Sequence, residues 1–399
     1  MANTLTPIDV YSLINSIAAQ ATGQSALTVT DTESLVSVGE VILRTGTENT
    51  LNAISTVLAD TIFSVRPYTG KLKSLYRSQR KWGTQVRKVV NLYTATEESE
   101  DYNTDINSTQ LADGASVDMF KIQAPRVLQL NFYGTKKLQK HLTRFRDQLS
   151  LAFSSEEEFI RFIDSVLIEW GNEIELANEE IARGTLLNYM AGLYDENMAV
   201  DLVAAYNAAE GFSPALSRSE CLSESHIEGF MKFVATTIKT YSDRMTDYTT
   251  NFHKSITGYN PILRHTPKER QKMIMYSPIF TKMKTEVYST LFNPEYLNIG
   301  EFEGVNFWQG QDYPEAIKIY APNLLDASTG SSDRGADVDL DFVLGVLFDD
   351  EALGVMPQFD YSSVSPFNSA GGYWNMYYHW RFNTYTDFTE NGILFYLGA

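Results

Sequence analysis

A chain of 399 residues with 43% hydrophobic side chains is long enough for two or three domains and apolar enough to bury a core, which excludes a disordered protein. A net charge of −18 argues against generic nucleic-acid binding, because phosphate contacts need a surplus of Lys and Arg. The single cysteine, Cys221, excludes an intramolecular disulfide and a cysteine-based metal site. No signal peptide follows Met1, and no apolar run reaches the roughly 18 residues that a membrane span needs, so the chain suits a reducing cytoplasm.

Residues 1–62 read as three short amphipathic helices. Thr6-Pro7 opens the first, ahead of Ile8, Val10, Leu13, Ile14 and Ile17; Asp31 or Thr32 opens the second, ahead of Leu35, Val38, Val41 and Ile42; Thr47 opens the third, ahead of Leu51, Ile54, Val57 and Leu58. Helices this short must pack on their own domain or on a neighbour. Residues 63–120 then segregate charge. From Thr61 to Thr96 there is no acid, while Arg66, Lys71, Lys73, Arg77, Arg80, Lys81, Arg87 and Lys88 are all basic. Glu97, Glu98, Glu100, Asp101, Asp105, Asp113 and Asp118 follow. The excursion is too polar for a compact domain and too long for an ordinary loop, with a strand at Val86–Tyr93.

Alternation of Leu128, Leu130 and Phe132 with Gln129, Asn131 and Tyr133 predicts a strand within 121–134. Ser155-Glu156-Glu157-Glu158 forms a capping box for a helix running to about Gly192, on the order of 55 Å long. Beyond residue 195 the pattern is mixed. Helices are predicted from Ser223 to about Arg244 and from Ser277-Pro278 to about Phe292, and strands over 272–276, 305–308, 317–320 and 342–348, with a small polar loop around 330–335. Eight aromatics crowd the end, at Tyr373, Trp374, Tyr377, Tyr378, Trp380, Phe382, Tyr385 and Phe388. A turn at Asn391-Gly392 and a buried strand over 393–397 tie the terminus into a sheet.

Few residues suggest chemistry. Asp333, Asp337, Asp339 and Asp341 could face a cation, but Phe342 sits where a calcium loop needs Gly, so a solvated strand edge is the better reading. His141, His226, His253, His265 and His379 lack metal-motif spacing, and Gly70-Lys71 lacks the rest of a phosphate-binding loop. The helix carboxylates Glu169, Glu173, Glu175, Glu179 and Glu180 read as a solvated face. The basic stretch holds Tyr68, Tyr76 and Trp82 and could stack on single strands, but the acids that follow would repel phosphate. A surface that meets an oppositely charged neighbour accounts for both halves. The candidate contact residues are therefore Arg66, Lys71, Lys73, Arg77, Arg80, Lys81, Arg87, Lys88, Glu97, Glu98 and Asp101, with no catalytic residue, no cofactor and no metal.

Several phrases carry a family likeness. Asp101-Tyr102-Asn103-Thr104-Asp105, Leu111-Ala112-Asp113-Gly114, Leu130-Asn131-Phe132-Tyr133-Gly134, Arg144-Phe145-Arg146-Asp147-Gln148-Leu149, Met275-Tyr276-Ser277-Pro278 and Leu347-Phe348-Asp349-Asp350-Glu351-Ala352-Leu353-Gly354 resemble major capsid proteins of small short-tailed, phi29-like podoviruses. The resemblance implies an α+β capsid fold of the Hong Kong 97 type. It places an N-terminal arm at 1–62, an extended loop at 63–120, a peripheral domain with a spine helix at 121–195, an axial domain at 196–372, and C-terminal strands at 373–399 returning to the peripheral domain. It implies a structural protein that assembles in the host cytoplasm into pentamers and hexamers of a virion head. Its partners would be copies of itself, a separate scaffolding protein, a portal protein and double-stranded DNA held without sequence readout. Set against the resemblance, the chain is expected to begin directly at the arm and to carry no immunoglobulin-like extension, and no Lys–Asn crosslink pair can be matched. The rival readings are another virion structural protein, or a metal-dependent enzyme using the Asp337, Asp339 and Asp341 group.

Overall fold

The computed structural model describes residues 7–22, 28–30, 32–45, 70–77, 85–92, 116, 119–120, 122, 124, 127–133, 135–145, 156–256, 262–279, 301–326, 328–329 and 331–399, with 156–169 given by their backbone. The helices are α1 (Pro7–Thr22), α2 (Thr32–Thr45), α3 (Glu156–Asp195), α4 (Leu202–Glu210), α5 (Arg218–Cys221) and α6 (Ile227–Arg244). The first strands are β1 (Gln85–Asn91), β2 (Val127–Tyr133), β3 (Thr135–Phe145), β4 (Ala199–Asp201), β5 (Gln271–Tyr276), β6 (Glu301–Val305) and β7 (Ile317–Ile319). They continue as β8 (Asn323–Leu325), β9 (Ser332–Arg334), β10 (Val338–Leu340), β11 (Val343–Asp349), β12 (Leu353–Val364), β13 (Tyr373–Thr386) and β14 (Gly392–Tyr396). The helix expected from Thr47, the caps at Thr6 and Ser155, and the bulk of the helix expected from Ser277 lie outside the described residues.

The chain divides into two units. The first comprises Met1–Thr84, Tyr133–Thr185 and Gly354–Tyr385. Here α1 and α2 bury Ile14, Ile17 and Ala18 with Leu35 and Val38, as their spacing predicts. A three-stranded sheet runs in the order β12-β13-β3. β13 and β3 are antiparallel from Tyr373 opposite Phe145 to Asn383 opposite Thr135. Period-2 alternation turns Trp374, Met376, Tyr378, Trp380 and Phe382 inward, where all are buried. The Trp170 ring of α3 meets Tyr378 edge-on at 6.0 Å. β3 was not expected from its pattern, because Lys136, Lys140 and Arg144 fall on the inward face and Lys137 on the outward one, which hides the alternation.

The second unit comprises Gln85–Phe132, Leu186–Leu353 and Thr386–Ala399. Its five-stranded sheet has the order β4-β14-β11-β5-β6. β11 is buried along its whole length between β14 and β5. Tyr189 of α3 stacks on Phe388 at 5.4 Å and meets Phe348 edge-on at 5.9 Å. The resemblance groups 373–399 with 121–195, but the break falls after Tyr385. β13 pairs with β3 in the first unit, whereas β14 pairs with β11 and β4 in the second.

Three predicted boundaries shift. α3 passes Gly192, because that glycine serves close packing: a Cβ there would stand 2.3 Å from the Phe388 ring. The helix ends instead at Asp195, closed by Asn197, which takes the left-handed conformation at φ 57 while Met198 N–H donates to Leu193 O at 2.8 Å. α6 starts at Ile227 rather than Ser223, whose hydroxyl is drawn into a turn by Glu220 O at 2.6 Å. β6 stops at Val305, since Trp308 leaves the strand to bury its ring and donate from Nε1 to Val343 O at 2.8 Å. Ala321, at φ 46, occupies a backbone conformation that suits glycine. Ala321→Gly is expected to raise stability by about 0.5–1 kcal/mol in urea unfolding by relieving that strain.

Candidate functional site

The basic stretch begins, among the described residues, with Gly70–Arg77 in the first unit. Leu72 and Leu75 bury their side chains. Gly70 N–H donates to Glu175 Oε1 and Lys71 N–H to Glu179 Oε2, each at 3.2 Å. Tyr76 Oη donates to Asn178 O at 2.8 Å, and Arg77 N–H donates to Val355 O of β12 at 2.9 Å. Lys73 stands 3.6 Å from Glu175, and Arg183 pairs with Glu179 at 2.5 Å. Glu175 and Glu179 are thus buried rather than solvated. A buried carboxylate needs donors, and the backbone of this segment supplies them. The segment, α3, β12 and β13 enclose a cavity of about 450 Å³, lined by Lys71, Arg77, Glu175, Glu179 and Trp380 among others.

The stretch continues in the second unit as β1. Val86 and Val90 are buried, and Arg87 and Val89 point to solvent. Lys88, on the buried side, pairs with Asp387 and Glu390. Arg264 Nε stands 3.1 Å from the same Glu390 carboxylate. Burial opposes the charge on Lys88, yet the two carboxylates outweigh it and hold its pKa above the ordinary lysine value. Burial pushes Glu390 above the usual glutamate value against the pull of Lys88 and Arg264. Asp387 also accepts from Thr389 N–H at 2.9 Å and from Thr389 Oγ1 at 2.7 Å, which fixes the turn before β14.

The structure therefore brings Lys71, Lys73 and Arg77 together in one unit, and places Arg87 and Lys88 on opposite sides of one strand. Arg66, Arg80, Lys81, Glu97, Glu98 and Asp101 lie outside the described residues. Asp339 pairs with Lys318 at 2.5 Å, Asp337 accepts from Ala321 N–H at 3.0 Å, and Asp341 faces Arg218 at 4.0 Å. Among the described residues no group of His, Cys, Asp and Glu could hold a metal ion.

A second surface was missed in the sequence. Opposite the buried face of the β12-β13-β3 sheet stand Lys137, Gln139, His141 and Phe145 of β3 beside Arg381, His379, Tyr377 and Tyr373 of β13. Neither strand contains Asp or Glu. The signal was available: no acid occurs from Met119 to Arg146, while Lys121, Arg126, Lys136, Lys137, Lys140, Arg144 and Arg146 are all basic.

The family model described as Phi29-like phage major capsid protein matches residues 14–396. No curated protein matches the sequence. A chain from the capsid structure of Staphylococcus phage Andhra is similar at a TM-score of 0.54 and 10% identity, over 84% of this chain and 86% of that one. A chain from the structure of head fiber and inner core protein gp22 of native bacteriophage P68 is similar at 0.53 and 10% identity, over 83% and 86%. At such identity the two likenesses speak for the fold.

Proposed function

Because the chain belongs to the Phi29-like phage major capsid protein family, a structural family with the Hong Kong 97-type fold, we propose a specific way in which its copies build the shell. Heterologous contacts join them into pentamers and hexamers, which tile an icosahedral or prolate head around double-stranded DNA. The DNA is contained rather than read, since a net charge of −18 leaves no surplus for phosphate. A scaffolding protein templates the shell in the host cytoplasm, and a portal protein occupies one vertex.

In this reading residues 63–120 reach a neighbour. Lys73 and Lys88 fasten the segment to their own chain through Glu175, Asp387 and Glu390. Arg66, Lys71, Arg77, Arg80, Lys81, Arg87, Glu97, Glu98 and Asp101 engage copies. Many modest, partly polar contacts let early assembly reverse and make the closed shell stable. The observation that carries the proposal is the extent of the family match, which takes in nearly the whole chain from α1 to β14.

Electron microscopy of the protein expressed with and without its phage's scaffolding protein tests it. Closed shells are expected with the scaffold, and a monomer under both conditions overturns the proposal. Arg80→Glu, Lys81→Glu and Arg87→Glu together are expected to cut shell yield by roughly tenfold or more, while circular dichroism of the unassembled protein stays unchanged. Normal yield from that variant removes the segment from the contact.

A further inference from the structure

The cavity of about 450 Å³ beside Gly70–Arg77 lies wholly inside the first unit. Small-molecule sites span about 300–1,000 Å³, so its size suits a ligand of one or two rings. Its walls are aromatic, with Tyr76, Tyr378, Trp380 and Phe382 lining it. Trp380 is only 7% exposed, yet its Nε1–H has no acceptor, which a buried indole ordinarily finds. The Asn178 amide lines the same space, and its buried Oδ1 also lacks a partner.

Gly171 marks the space as one kept open. It lies within α3, where glycine weakens a helix relative to alanine. Close packing does not demand it, as it does at Gly192, because a Cβ at 171 meets nothing within 4 Å. Gly171 lines the cavity, so a side chain there would take up room that the sequence leaves free.

The charge left over in the cavity is positive. Glu175 and Glu179 are engaged by Lys73, Arg183 and the N–H groups of Gly70 and Lys71. Asp360 accepts from Tyr378 Oη at 2.6 Å. The Lys71 ammonium lines the cavity and enters no ion pair among the described residues. A cation beside ring walls attracts an anion more strongly than it does in water.

We propose that this cavity is a binding site for a small aromatic carboxylate. Its ring lies among Tyr76, Tyr378, Trp380 and Phe382, and its carboxylate meets the Lys71 ammonium and accepts from Trp380 Nε1–H. The site is complete within one chain, so it stands or falls separately from shell formation.

Isothermal titration of the unassembled full-length chain with 2-naphthoate tests it. One molecule is expected to bind per chain, and hydrogen exchange of the amides from Gly70 to Tyr76 is expected to slow in the complex. The alcohol 2-naphthylmethanol, the same ring without the charge, should bind about tenfold more weakly or worse. Lys71→Met should weaken 2-naphthoate by about tenfold while the circular dichroism spectrum holds. Gly171→Leu should abolish binding while the thermal midpoint holds or rises, since leucine fills the space and favours the helix. Lys71→Met and the alcohol decide the matter however Gly171→Leu folds. No binding at millimolar 2-naphthoate overturns the proposal. Equal binding of the alcohol, undiminished binding to Lys71→Met, or heat without slowed exchange from Gly70 to Tyr76 also overturns it, and each of these means an adventitious additive only.

Discussion

Lys88→Met is expected to destabilise the second unit by about 3–5 kcal/mol, the cost of leaving a buried charge without its partner. The Lys88 side chain is 18% exposed and its partners less, Asp387 at 1% and Glu390 at 9%. Removing the ammonium leaves Glu390 with Arg264 but strips Asp387 of its cation. Asp387→Asn in the same chain is therefore expected to return part of the loss, which a double-mutant cycle in urea unfolding of the unassembled protein measures. The pH dependence has a defined sign. Lys88 is held above its ordinary value, so its pairing contributes fully below pH 10.5 and fades as pH rises through the higher folded value. The variant lacks that alkaline limb. Its deficit should shrink on acidification, as Glu390, held above the usual glutamate value, takes up a proton. An unchanged unfolding midpoint at pH 7 would remove the pair from any structural role.

Gly345→Val is expected to prevent the second unit from folding at ordinary temperatures. Gly345 lies in β11, the middle strand of five, paired with Met275 on one side and Phe395 on the other. A Cβ there would stand 2.7 Å from the Ile274 carbonyl oxygen, 2.9 Å from Met275 Cγ and 3.2 Å from Met275 Cα. The nearest atom is backbone in a hydrogen-bonded ladder, so no rotamer change relieves the clash. Overpacking of this kind costs about 3 kcal/mol for the first methyl, and Val adds two more carbons. Soluble yield and thermal midpoint read the result. Gly310→Ala serves as control, since a Cβ there meets nothing within 4 Å and the midpoint should hold. A Gly345→Val variant as stable as wild type would show that β11 and β5 can separate at that point.

Elements whose apolar period stands clear of charge were legible in the sequence. α1, α2, β2, β5 and β11 lie where spacing alone puts them, within a few residues. β3 was hidden because its cations point to both faces, and β12 because Gly354 and Pro357 interrupt it. The course of α3 past Gly192 depends on Phe388, far along the chain, which no local pattern contains. The candidate contact residues were legible as charges but not as neighbours. Burial of Lys88, Glu175 and Glu179 is a tertiary event, and the carboxylates of α3 read as solvated until the backbone of Gly70 and Lys71 is seen to donate to them.

The two units are interleaved along the chain, with the thread passing between them at 84/85, 132/133, 185/186, 353/354 and 385/386. Synthesis proceeds from the N-terminus, so the first unit lacks Gly354–Tyr385, and the second Thr386–Ala399, until those last pieces have left the ribosome. β14 is inserted between β4 and β11, and a chain cut short before it leaves β4 without its neighbour in that sheet. An interrupted translation product therefore lacks strands that the folded units need, so neither sheet is complete before synthesis nears its end.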